Sequence, residues 1–80
     1  NKFRVTVARG AWDYDEWPSY FRNFHKYCVE KADDNGWLTS TTMNYELRSL
    51  GGKLIQTSTQ GWYIRWDKEE SHTFFVLKWT

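Results

Sequence analysis

The sequence predicts an α+β domain of element order β-α-α-β-β-β, a mainly antiparallel sheet with helices on one face. Three observations carry this expectation. A two-residue alternation opens the chain, a 3.6-residue apolar rhythm runs from 13 to 34, and alternation returns after residue 61. Eighty residues are enough for a single domain over 1–80, near the lower size limit for folding without staples.

Lys2 to Ala8 puts Phe3, Val5 and Val7 on one face and Lys2, Arg4 and Thr6 on the other, as an edge strand with one buried face would. The segment from Asp13 to Asp34 reads as the main helix. Asp13, Asp15 and Glu16 suit the positive end of its dipole, and Pro18 suits the first turn. Trp17, Tyr20, Phe21, Phe24, Cys28, Lys31 and Ala32 form its buried stripe, and Gly36 is its left-handed cap. Thr39-Ser40-Thr41-Thr42 precedes Met43, Leu47 and Leu50, predicting a short helix over 41–50 that stops at Gly51-Gly52. Strands follow at 53–58, at 62–67 and at 72–80. Trp62, Ile64 and Trp66 share an inner face, and Lys68 to Ser71 is a polar connection. In the last strand Phe75, Leu77 and Trp79 oppose Phe74 and Val76, so both faces are apolar.

One residue in five is aromatic, and six are tryptophan, which supplies a dense core with rings to spare. Lys and Arg number 11 against 10 for Asp and Glu, too even a balance for a dedicated nucleic-acid binder. No apolar run approaches the ~20 residues of a membrane span, and no signal-peptide pattern opens the sequence, so we expect no membrane role. Cys28 stands alone and cannot form an internal disulfide, which fits the reducing cytoplasm.

Little here resembles an active site. His25 and Cys28 lie three apart on the long helix, and His72 is distant in sequence, but a closed zinc site needs four ligands. A nucleophilic thiol needs a base, an orienting group and an oxyanion donor, and the spacing supplies none of these. The carboxylates sit at helix ends and in loops, and Gly51-Gly52 follows a helix rather than a strand, unlike a phosphate-binding loop. We therefore expect no enzyme, cofactor or metal.

Two binding readings follow. If Trp62 and Phe75 look inward, Tyr63, Arg65, Phe74 and Val76 look outward as an aromatic-aliphatic patch around an arginine, the residue types enriched in protein interfaces. The leading expectation is a small protein-binding inhibitor or regulator, of phage or host-regulatory type, whose partner is another protein or a second copy of itself. The alternative rests on the short helix and the strands after it, an arrangement that resembles winged-helix DNA readers. There Thr41, Thr42, Asn44, Tyr45 and Arg48 would face a groove while Lys53, Arg65 and Lys68 meet phosphates. A related option lays a single strand on Tyr63, Phe74 and Trp62 or Trp66.

Overall fold

A computed structural model describes residues 3–9, 15–59 and 61–80. The elements are β1 (Phe3–Ala8), α1 (Ser19–Asn35), α2 (Thr39–Arg48), β2 (Gly52–Gln56), β3 (Trp62–Trp66) and α3 (Glu69–Trp79). The strands form one antiparallel sheet in the order β1-β3-β2, so β1 is an edge as its alternation predicts. The α+β class and the antiparallel sheet match the expectation.

The last element requires correction: 69–79 is a helix and not a fourth strand. A short run with apolar residues on both alternating faces fits a strand or a buried helix equally well, and two other cues decide. His72, Phe75 and Trp79 recur at helical spacing and face the rest of the fold, while Glu69 and Glu70 open the first turn and Lys78 closes the last. The supposed polar connection is thus the start of the helix.

The main helix begins later than predicted. Pro18 stands at its N-cap position in an extended conformation, and the Pro18 carbonyl accepts from the amides of Phe21 and Arg22. Proline disfavours helical geometry in the residue before it, which keeps Trp17 out of the helix. Asp15 and Glu16 lie in a short 3₁₀ turn upstream, and the predicted start at Asp13 falls outside the described residues. Gly36 ends α1 in the left-handed region at φ 70°, as expected. The second helix runs two residues ahead of its predicted frame, and no side chain of the Ser/Thr cluster caps it. The strands after it are slightly shorter than predicted, ending at Gln56 and Trp66.

All three helices lie on the inner sheet face. Phe21, Phe24 and Cys28 of α1, Met43 and Leu47 of α2, and Phe75 of α3 meet Val7, Leu54, Ile64 and Trp66 in one buried cluster. Rings tie the layers together: Phe24 and Trp66 flank Phe75 at 4.9 and 5.3 Å between centroids, and Trp17 bridges Phe21 and Trp62 at 5.0 and 5.5 Å. Such pairs add about 0.5–1.5 kcal/mol each beyond area burial. Polar clips fix the helices. The Leu54 amide donates to Asn44 Oδ1 at 2.8 Å, joining β2 to α2, and Asn23 Nδ2 donates to the Trp79 carbonyl at 2.7 Å, satisfying an end group of α3. Lys31 Nζ lies 2.9 Å from Glu46 Oε1, linking the rims of α1 and α2.

Candidate functional site

The sheet leaves its outer face free of helices. Alternation sends Phe3, Val5, Leu54, Ile64 and Trp66 inward to the core, so Arg4, Thr6, Lys53, Ile55, Tyr63 and Arg65 point the other way. Arg4 pairs with Arg65, and Arg65 pairs with Lys53, so three cations stand directly opposite one another across three strands. The next row is Thr6, Tyr63 and Ile55. The Arg4 guanidinium lies over the Tyr63 ring, 5.1 Å from its centroid.

The four residues of the sequence-derived protein patch fall on two surfaces. Tyr63 and Arg65 stand on the outer sheet face, each half-buried. Phe74 and Val76 belong to α3, on the other side of the sheet. Phe74 is 72 % exposed, while Val76 is half-buried on the flank of the helix. Leu77, which the strand reading turned inward with Phe75, is 71 % exposed. Phe74 and Leu77 are three apart on one helical face and line a shallow groove with Glu70 and Thr73. Helical spacing from the buried Phe75 is the signal that would have revealed Leu77: two residues onward turns a helix about 200° away from the core.

The α2 residues of the groove-reading hypothesis separate as well. Thr41, Tyr45 and Arg48 are exposed, but Thr42 is fully buried and donates through its hydroxyl to the Leu38 carbonyl at 3.0 Å. Asn44 is held by the Leu54 amide. Neither is free to read bases. Lys53 and Arg65 come together on the outer sheet face, and Arg48 shares a surface concavity with Asn44, Gly52 and Lys53. Lys68 is exposed just before α3. Near α2, Trp37 packs edge-on against Tyr45 at 5.6 Å, and Leu38 beside them is exposed, giving a second apolar surface at the α1–α2 corner.

The thiol and the imidazoles are packed as core groups. Cys28 is fully buried, and its pKa is pushed up to about 12 by burial and then by the charge of Glu46, the reverse of what a nucleophile needs. His25 lies edge-on to Trp17 at 5.1 Å. His72 sits among Phe3, Tyr20 and Trp66, and its Nε2 is buried with no hydrogen-bond partner among the described residues. Those residues hold no group of three or more His, Cys, Asp or Glu suited to a metal ion, and none of their helices is long and apolar enough to cross a membrane.

Burial lowers the pKa of both histidines below 6.5, and for His72 the nearby Glu69 opposes this only in part. The unfolded chain therefore binds more protons than the folded one as pH falls past 6.5. Stability is complete above that value and declines below it. The melting temperature is expected to drop between pH 7.5 and 5.5, and His72→Gln is expected to flatten the drop. A melting temperature that rises on acidification would contradict this assignment.

Searches against protein families, curated proteins and solved structures find no match to this chain.

Proposed function

We propose that the domain is a non-enzymatic protein-binding module, an inhibitor or regulator that works by covering a partner's surface in a reducing compartment such as the cytoplasm. The supporting observation is the pair Phe74 and Leu77, both more than 70 % exposed on a helix whose opposite side is sealed into the core. Neither belongs to the buried cluster or the residues packed against it, so the fold draws little from them. Burying a large apolar side chain at a contact contributes about 1.5–3 kcal/mol, and apolar anchors of this kind concentrate binding energy when a rim excludes water. Glu70 and Thr73 supply part of such a rim. The partner presents an apolar concavity able to take two side chains one helical turn apart.

The test compares capture by the wild-type domain with capture by the Phe74→Ser, Leu77→Ser double variant. Each exposed substitution is expected to shift stability by no more than about 0.5 kcal/mol. Binding should weaken at least roughly tenfold, the equivalent of about 1.4 kcal/mol. A partner held equally by both proteins, but lost on Trp37→Ser with Tyr45→Ser, would move the contact to the α1–α2 corner and overturn the assignment to α3. Sedimentation of the isolated domain distinguishes a foreign partner from a second copy.

A further inference from the structure

We infer that the outer face of the sheet binds single-stranded nucleic acid, with Arg4, Arg65 and Lys53 neutralising phosphates and Tyr63 offering a stacking surface. The inference does not depend on α3, which lies on the other side of the sheet.

Register is the first observation. Like charges directly opposite each other across strands are destabilising, yet Arg4, Arg65 and Lys53 occupy one row. Within the bounds of the three strands no described outward position carries a carboxylate; the first acid is Asp67, one residue past the end of β3 and beside Gly51. Among the described residues, neither Arg65 nor Lys53 has an ion-pair partner. The near-neutral total charge thus hides a local concentration of three cations spanning about two strand spacings, roughly 10 Å. An anionic ligand turns that repulsion into attraction.

The second observation selects the class of anion. An acidic protein partner needs an apolar anchor beside its charges. The outer face offers only Ile55, half-buried on an edge strand, whereas the exposed anchors of this domain stand on α3. What accompanies the cations is a tyrosine ring with a guanidinium laid over it at 5.1 Å. Aromatic rings and arginine planes are the surfaces on which unpaired bases stack, and guanidinium is the group that meets phosphate in bidentate fashion. The third observation is shape. A three-stranded face is wider than the single helix or two-stranded ribbon that the major groove of a duplex admits. A single strand can lie across it.

The test is fluorescence anisotropy of a labelled oligodeoxythymidylate over a salt series. Three phosphate contacts give a log–log salt slope of about −2, hence a roughly twentyfold loss of affinity from about 50 to about 200 mM salt. Arg65→Gln with Lys53→Gln is expected to reduce the loss over the same range to roughly threefold, because one contact remains. Phe74→Ser with Leu77→Ser should leave both affinity and slope unchanged, which separates this site from the protein contact. Circular dichroism confirms that each variant is folded. The inference is overturned by absent binding at low salt, or by a slope unchanged in the Gln double variant. It is equally overturned if polyglutamate or a duplex of equal length competes better than the unlabelled single strand.

Discussion

Phe75→Ala is expected to cost about 3–5 kcal/mol, the range for removing a buried phenyl ring from a packed core. A chain of this length has total stability of about 4–12 kcal/mol, so the variant should be partly or wholly unfolded at ambient temperature. Phe75 is the one buried residue of α3, fully sequestered between Phe24 and Trp66 with Tyr20 edge-on at 5.9 Å. Without it, α3 keeps only the half-buried His72, Val76 and Trp79 as larger contacts with the rest of the fold. The adjacent Phe74→Ala should be nearly silent, within about 0.5 kcal/mol, because its ring projects into solvent rather than into the core. Thermal melts of the two variants decide the matter: about 3 kcal/mol corresponds to at least roughly 12 °C in a domain of this size. Equal shifts for the two neighbours would contradict the docking of α3.

Gly52→Ala is expected to destabilise by about 1–3 kcal/mol through overpacking, although alanine ordinarily favours a strand over glycine. Gly52 stands directly opposite Trp66 on β3, and an added Cβ would come within 2.6 and 2.7 Å of the Trp66 Cζ3 and Cε3 atoms. The indole cannot swing aside. It is fully buried, with Phe75 at 5.3 Å and His72 at 6.2 Å between ring centroids. The bare glycine lets the ring lie flat over the edge strand, a cross-strand arrangement that pins the register. Equilibrium unfolding in denaturant measures the effect, and the same substitution in a Trp66→Leu background should cost markedly less. Equal costs in both backgrounds, or stabilisation in the native background, would contradict close contact.

Much of this organisation was legible in the residues. Alternation located β1 and assigned its faces, the stripe Phe21, Phe24, Cys28, Ala32 marked α1, and Gly36 marked its end in the conformation only glycine adopts freely. Trp62, Ile64 and Trp66 were placed inward, where they pack. The final helix was not legible from alternation because Phe74 and Leu77, apolar but exposed, fill positions that a core-facing helix would leave polar. Their apolar character is a burden on the folded monomer, and the same surplus both misled the periodicity and points to a partner. The cation row was hidden for another reason. Arg4 was readable as outward-facing, but its position opposite Arg65 and Lys53 follows from the strand order β1-β3-β2, which local sequence does not encode. The Ser/Thr cluster that forms the first turn of α2 misled in a third way, since Thr42 turns its hydroxyl back to the Leu38 carbonyl rather than outward.

The surfaces left over after folding are chemically distinct and lie on opposite sides of the sheet. The α3 side presents two exposed apolar residues edged by Glu70, while the outer sheet face is cationic with a single ring. The fold therefore keeps its two contact chemistries apart, and substitutions on one should not disturb the other.

A photoreactive phenylalanine analogue at position 74 gives the most direct measurement of whether α3 is a contact surface. Irradiation in the presence of the captured partner is expected to yield one dominant crosslinked species, lost when Leu77→Ser is added. The same analogue at position 63 should give no crosslink to that protein. Crosslinking of equal yield from both positions, or none from position 74 while the partner stays bound, would contradict the proposed role of the exposed helix face.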